Sequence, residues 1–414
     1  MHRSMRRFQP AARIVRGLRE LGIVGPLTVL GAPGALAQPS ALAVHRISAQ
    51  IHTTTELLGM RIGVRPLSDG RVLVSDPQNS RLLLFDSTLE HATTIADTTI
   101  ATGKAWGKGL VGLIPFVGDS SLARDVLTKA YVVIDPAGKI ARVIPAPARG
   151  LVGGEQTLGE AVGYDRADHL LFRAPRPVFL SLLDPDFVGD TLMRGPDTIP
   201  ILRRNLVTGA LDTLALVRAP RTRQAVRRRA EGGASGRSAF NPVASADDWT
   251  VLDDGTVAVV KIADYHVDWI RPDRRVTSTG KIPATWVPIS AAQKAAMIDT
   301  LRVRDSILAA ERAESRPAGG TPSAVIEASD LPDFWPPFAA ESTVPAPDGT
   351  VWVREGRVPS AAGAPVYDVI SHEGTLIDRV QVPGGATVAA VGRRTAFLVE
   401  RANGRSRVIE ASIP

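Results

Sequence analysis

The chain contains no cysteine among its 414 residues, which excludes a disulfide framework, a thiol nucleophile and cysteine-ligated zinc. Lysine is nearly as scarce, at seven against 42 arginines, a skew of the kind that genomic base composition imposes. Catalytic signatures are missing as well: there is no H-E-x-x-H, no G-x-S-x-G, no P-loop and no dinucleotide fingerprint at a strand–helix junction. The histidines away from residue 266 are scattered without metal-ligand spacing. The formal charge of +7 suggests nucleic acid until it is divided. The stretch 1–37 carries six arginines and one glutamate, and without it only +2 remains. A nucleic-acid partner is therefore not expected.

That N-terminal stretch has the physical pattern of an export signal. Arg3, Arg6, Arg7, Arg13, Arg16 and Arg19 form a basic region, GIVGPLTVLGAPGALA is the apolar core, and Ala35-Leu36-Ala37 supplies the small residues of a cleavage site before Gln38. The apolar core holds two prolines and falls short of the roughly 20 residues that span a bilayer. A signal peptide at 1–37 and a periplasmic or secreted mature chain with no transmembrane segment are expected, and Arg6-Arg7 leaves Sec and twin-arginine export both open.

What the chain has in abundance is a repeated unit. Asp69 to Leu89, DGRVLVSDPQNSRLLLFDSTL, reads as turn, strand, turn, strand, turn. Versions recur at Asp254-Gly255 (TVAVVKIADYHVDWIRPD), at Asp348-Gly349 (TVWVREG, then APVYDVISHEG), at Ala130 to Gly138, at His169 (HLLFRA) and near the C-terminus (RRTAFLVERANGRSRVIEA). The apolar runs do not alternate, so both faces of each strand are covered. Six antiparallel units of that kind, none able to bury its own faces alone, predict an all-β, six-bladed β-propeller. The apolar spacing of Ala41 to Thr55 marks a strand that completes the last blade beside the C-terminal unit and closes the ring.

Within VSDPQNSRLLLFD, the arrangement of Asp76, Asn79 and Arg81 resembles the NHL-type repeat of six-bladed propellers. KIADYHVDWI lacks the Asn and the Arg. From about residue 43 the chain resembles, more broadly, the TolB-like propellers of bacterial secretomes, most of which have no assigned activity. The residues themselves give Asp76, Asn79 and Arg81 a structural turn role: the first two bond turn amides, and Arg81 pairs with Asp76 across the hairpin.

Insertions interrupt the ring. Arg218 to Ser238 carries seven arginines, one glutamate and a glycine-serine tail, and predicts a mobile loop. It reads either as a patch for anionic headgroups or as a solvated insertion, and the lack of accompanying aromatics favours the second. Residues 290–314 predict the one helix of the mature chain, between blades four and five, with Ser290 as N-cap and Gln293 at capping-box spacing. Ala291, Ala295, Ile298, Leu301 and Leu308 form a narrow stripe, interrupted by Asp305, that packs on the rim. Arg316 to Pro322 reads as a further loop. Gly150 to Gly154, GLVGG, reads as a flexible crossing with no basic residue placed for phosphate. An internal insertion is expected at Pro175 to Pro196.

Candidate chemistry is sparse. Asp264, His266 and Asp268 share a strand face opposite Tyr265, Val267 and Trp269, and two carboxylates beside an imidazole suit ligand binding, a divalent metal or acid–base work. Residues two apart on one strand stand about 6–7 Å from each other, too far for all three to converge on one ion. The plainer reading puts Asp264 in the turn and His266 on a solvated face. Trp335, in LPDFWPPFAA with Phe334 and Phe338, either lines a groove or staples a crossing to the core. Two classes of function follow. One is a non-catalytic propeller, without cofactor and expected to be monomeric, that binds a peptide, a protein or an envelope component. The other is a calcium-dependent hydrolase like the lactonase propellers, its metal held in the central channel. Acids on inner strands of several blades would mark the second. They occur at Asp247, Asp248 and Glu341, whereas other blades offer Arg65, Phe116 and Val391, which favours binding.

Overall fold

The computed structural model describes residues 42–47, 50–98, 110–125, 127–128, 130–145, 161–173, 189–228, 234–315, 325–356 and 363–413. The expected export signal, the Gly150–Gly154 crossing, the 316–322 loop and most of the 175–196 insertion lie outside these residues. The chain opens with β1 (Val44–Arg46) and β2 (Gln50–Thr53). Blade one is β3 (Gly63–Pro66), β4 (Val72–Asp76), β5 (Arg81–Phe85) and β6 (Ala92–Ala96). Blade two is β7 (Leu110–Pro115), β8 (Ser121–Asp125), β9 (Tyr131–Ile134) and β10 (Ile140–Ile144). Blade three starts with β11 (Ala161–Tyr164) and β12 (His169–Arg173), leaves the ring for β13 (Gly189–Arg194), and returns as β14 (Thr198–Asn205) and β15 (Leu211–Arg218). Then come β16 (Arg223–Arg228) and β17 (Ala234–Ser238). Blade four is β18 (Asp248–Val251), β19 (Val257–Lys261), β20 (His266–Ile270) and β21 (Val276–Ser278), followed by helix α1 (Ala291–Ser315). Blade five is β22 (Phe338–Pro345), β23 (Val351–Glu355), β24 (Val366–Ile370) and β25 (Leu376–Gln381). Blade six is β26 (Ala386–Val391), β27 (Thr395–Ala402) and β28 (Arg405–Ser412).

Every blade is an antiparallel meander, and the inner strands meet in the order β3, β7, β11, β18, β22, β26 and back to β3. The fold is thus a six-bladed β-propeller. Its packing accounts for the uninterrupted apolar runs. Val72, Val74, Leu83 and Phe85 face blade six and pack on Phe397 and Val408. Their neighbours Leu73, Leu82 and Leu84 face blade two and pack on Leu110, Val132 and Ile134. Because side chains alternate along a strand, consecutive apolar residues serve two different inter-blade cores. Each of the six interfaces between successive blades has its own buried cluster. Burial fades outward, since β4 is buried throughout and β21 is exposed throughout. Among the described residues no helix is long and apolar enough to cross a membrane.

Ring closure is divided between two strands. β2 pairs antiparallel with β28 as the outermost strand of blade six. β1 instead lies parallel to β25 and adds a fifth strand to blade five, and Ile47 just beyond it enters the core between these two blades. The segment expected to serve one blade therefore fastens two.

The Arg218–Ser238 segment, expected as a mobile loop, contains two regular strands, which corrects its reading as a loop. Residues 223–228 and 234–238 are strands, and with β13 they form a three-stranded sheet in the order β13-β16-β17. Composition could not show this, because the ladder is made by backbone groups and the partner strand lies in a separate insertion. Nor are the arginines all loose: Arg223 meets Asp330 at 2.5 Å and Glu327 at 2.7 Å. Ala225 and Ala239 point into a seventh cluster with Ile298 of α1, Ile289, Leu331 and Trp335. The helix starts as its sequence implies. Gln293 N–H donates to Ser290 Oγ at 3.2 Å, and Ser290 N–H donates to Gln293 Oε1 at 2.9 Å.

Candidate functional site

The topology gives the ring two unlike faces. The turns between the first and second strands of blades one, four and five are short, with Gly70, Gly255 and Gly349 at φ of 89°, 86° and 83°. Links from second to third strand and from blade to blade emerge on the opposite face. That face carries β13, the β16–β17 hairpin and the described parts of the 279–337 crossing with α1. Among the described residues, these additions to the ring belong to blades three to five.

Across this face runs a strap formed where residues 287–289 pair with 333–335. Ile289 N–H donates to the Asp333 carbonyl and Trp335 N–H to the Val287 carbonyl, each at 2.8 Å. Pro336 and Pro337 extend it toward blade five, where Gly356 N–H donates to the Pro337 carbonyl at 2.9 Å. A Cβ on residue 356 would stand 1.9 Å from the Pro336 carbonyl oxygen, so this close approach requires glycine. A groove opens on each side of the strap, and Pro336 lines both.

The first groove, about 310 Å³, is lined by aromatics, by three cations and by the carboxylates of Asp330 and Asp333. Trp286 and Phe334 meet edge to face at 6.2 Å and 87°, and are 39% and 45% exposed. Arg218, Arg221 and Lys294 line the same space. Arg221 donates to the Ser329 carbonyl at 3.0 Å. Lys294 meets Asp333 at 2.7 Å, and that hydrogen bond holds the Asp333 carboxyl below its ordinary range.

The second groove, about 330 Å³, has prolines and Trp335 as walls and carboxyls in its floor. Asp368, in the middle of β24, is buried and accepts from Tyr265 Oη at 2.6 Å and Arg379 Nε at 3.1 Å. Glu355, ending β23, stands 3.5 Å from the same Nε. Burial, then the neighbouring Asp368 charge, pushes the Glu355 carboxyl above its usual range. Burial also raises Asp368, against the hydrogen bond from Tyr265 and the charge of Arg379. Tyr265 is held well above the ordinary phenol range, first by burial and then by the Asp368 charge.

The sequence-derived candidates fall at different points. Trp335 stands in the second groove, and its backbone belongs to the strap. Asp264, His266 and Asp268 are brought together: His266 Nδ1 lies 2.5 Å from Asp264 Oδ1, and Nε2 lies 3.3 Å from Asp268 Oδ1. Tyr265, at φ 49°, turns the chain so that Asp264 swings back to the ring. An imidazole at the centre spans a gap that the three side chains could not close around one ion. Ser278 Oγ donates to Asp268 at 2.5 Å, and Lys281 lies 3.7 Å from Asp264. Among the described residues no three His, Asp or Glu side chains are arranged to hold a metal. Asp76, fully buried, accepts from Asn79 Nδ2 at 2.7 Å, from Arg81 at 3.1 Å and from Gly59 N–H at 3.2 Å. Arg81 also reaches Glu56.

The inner-strand acids hold blades together. Asp248 accepts from Arg173 of blade three at 3.0 Å, and from Ser342 N–H at 2.7 Å and Thr343 N–H at 2.9 Å in the bulge of β22. Asp247 accepts from Ile262 N–H and Arg218 N–H at 2.9 Å and from Lys261 at 2.5 Å. Carboxylates already filled by cations and amides do not fit a calcium centre, whose ligands must offer free lone pairs. Glu341 sits exposed on the same bulge, at φ 54°. Arg65 donates to Ser121 Oγ at 2.6 Å and to Asp119 at 3.1 Å, joining blades one and two. Sequence reasoning missed Glu355, Asp368 and Arg379, although an acid inside the apolar run VYDVI was a signal.

No family model matches the sequence, and no curated protein matches it either. Among solved structures, it is similar to virginiamycin B lyase from Staphylococcus aureus at 10% identity, covering 88% of this chain and 99% of that one with a TM-score of 0.40. It is also similar to a gluconolactonase from Xanthomonas campestris at 10% identity, covering 91% and 99%, TM-score 0.40. A third is regucalcin, a calcium-binding protein from Agrobacterium tumefaciens, at 12% identity, covering 90% and 97%, TM-score 0.33. Likeness at this level transfers no activity, and the six-bladed ring rests on the chain's own strand pairing.

Proposed function

We propose that this protein is an exported, non-catalytic recognition propeller that binds an extended peptide segment on its insertion-bearing face. The observation that carries the reading is the Trp286–Phe334 pair, two large aromatics left open beside Arg218, Arg221 and Lys294. Exposed aromatics flanked by guanidinium groups are the composition of binding hot spots. An apolar or aromatic side chain would sit on the pair, and flanking acidic residues would meet the cations. Such a site needs no cofactor. A calcium-dependent hydrolase is the other reading of a six-bladed ring, and no contact of Asp247 or Asp248 favours it.

Export follows from the 1–37 pattern and is tested by fractionating cells that express the full chain. Binding is tested with a fluorescently labelled acidic-aromatic peptide library. Acidic peptides should bind, and Trp286→Ala should weaken them about ten-fold or more, as removal of a central aromatic anchor does. Equal binding of basic and acidic peptides, unchanged in the variant, would sink the proposal.

A further inference from the structure

Of the three cations that line the first groove, two are committed within the protein. Lys294 is held by Asp333 at 2.7 Å and by the Leu331 carbonyl at 3.4 Å. Arg221 donates to the Ser329 carbonyl at 3.0 Å. Its charge also reaches Asp333, whose carboxyl is held below its ordinary range first by the Lys294 hydrogen bond and in smaller part by Arg221. Asp330, the other carboxylate of the lining, is taken by Arg223. Arg218 differs. Its backbone N–H donates to Asp247, but among the described residues its guanidinium meets neither a carboxylate nor a carbonyl, and the residue is exposed. One uncommitted guanidinium therefore shares about 310 Å³ with one open aromatic pair, Trp286 and Phe334.

A ligand that satisfies both must carry an anion and a ring on one compact unit. Side chains alternate along an extended peptide, so an acid next to an aromatic residue points away from the surface that holds the ring. An acid two residues on stands about 6–7 Å further along the chain. A C-terminal aromatic residue carries ring and carboxylate together. The groove is also closed on the strap side: Pro336 bounds it, and the strap lies so close to blade five that residue 356 has no room for a Cβ, so a chain cannot pass beneath into the second groove.

We propose that the first groove takes the C-terminus of a peptide that ends in an aromatic residue, the ring on Trp286 and Phe334 and the terminal carboxylate on Arg218. The planar guanidinium fork meets a carboxylate with two parallel hydrogen bonds, a geometry that a lysine ammonium does not offer. Since Asp333 already neutralises Lys294, the carboxylate has one partner to find. The inference rests on the peptide reading above and deepens it, by naming the end of the peptide that binds and the cation that reads it. Flanking acids add to the attraction, and the terminal carboxylate fixes the register.

The test is calorimetry on the full chain with four ligands: an N-acetylated pentapeptide of glycine and serine ending in tryptophan, its C-terminal amide, an amidated pentapeptide with tryptophan in the middle and aspartate on both sides, and N-acetyltryptophan. The free acid should bind about ten-fold or more tightly than its amide, the effect of a charge-assisted hydrogen-bonded pair. Arg218→Gln should remove that difference, and Arg218→Lys, which keeps the charge without the fork, should restore it in part. Thermal melts establish that both variants fold. Equal binding of acid and amide, with the aspartate peptide bound and weakened by Trp286→Ala, overturns this inference and leaves the aromatic groove standing. A preference for the free acid that survives Arg218→Gln overturns the assignment to Arg218. N-acetyltryptophan bound as tightly as the pentapeptide overturns the peptide terminus in favour of a small aromatic acid. Binding of none of the four removes this inference and the peptide reading together.

Discussion

Asp248 shows what a single buried carboxylate does in a ring. It is 1% exposed and links blade four to the arginine of blade three and to the bulge of blade five. Asp248→Ala takes the carboxylate from Arg173, which keeps the Trp249 carbonyl at 3.3 Å, and from two backbone amides, and should cost about 3–5 kcal/mol in denaturant unfolding. Asp268→Ala removes a carboxylate at the rim and should cost about 1 kcal/mol or less. Similar losses in the two variants would show that Asp248 is not an inter-blade staple. Glu355 works in the opposite direction. Its carboxyl pKa is raised in the folded state, so its contribution to stability is present below the unfolded value of about 4.3 and is lost as pH rises through the folded value. Glu355→Gln should therefore raise Tm at pH 7 and lose that advantage at about pH 4. A lower Tm at neutral pH would mean that the charge is already compensated.

The N-terminal strands illustrate the element scale. β2 supplies the outermost strand of blade six and β1 the fifth strand of blade five, so residues 44–53 fasten the ring at two places. Removing residues 38–56 strips both blades of an outer strand and takes Ile47 out of the core between them. The truncated protein should melt well below the intact one, and an unchanged Tm would locate ring closure in side-chain packing alone. Part of this was legible, since the apolar spacing of Ala41 to Thr55 identified a strand without a local partner. Its division into two was not, because nothing in the apolar spacing of the segment marks the parallel backbone pairing with β25. The same reason hid β16 and β17. Periodicity within a window reports on burial along one element, and the β13 partner lies outside any such window.

For the whole molecule, the two grooves lie in crossings between blades, and the proposed chemistry has no metal in it. Calcium at about 100 times its Kd would stabilise a true binder by roughly 2.7 kcal/mol. Melts of the full protein with calcium and with chelator should coincide. A rise of several degrees with calcium, joined by lactone or aryl-ester hydrolysis that chelator abolishes, would replace the recognition reading with the hydrolase.

The sequence by itself determined the ring. Asp-Gly turns and runs such as Val72-Leu73-Val74 recur because every blade must present apolar side chains to two neighbours, and that demand is written locally, residue by residue. It also placed Trp335 on a crossing worth attention. Only the tertiary structure decided what surrounds it. Tyr265, Glu355, Asp368 and Arg379 come from four separate segments, and each reads alone as core or as surface. Their meeting depends on how blade five docks on blade four and where the strap crosses, geometry set by long-range packing that leaves no periodic trace in the chain.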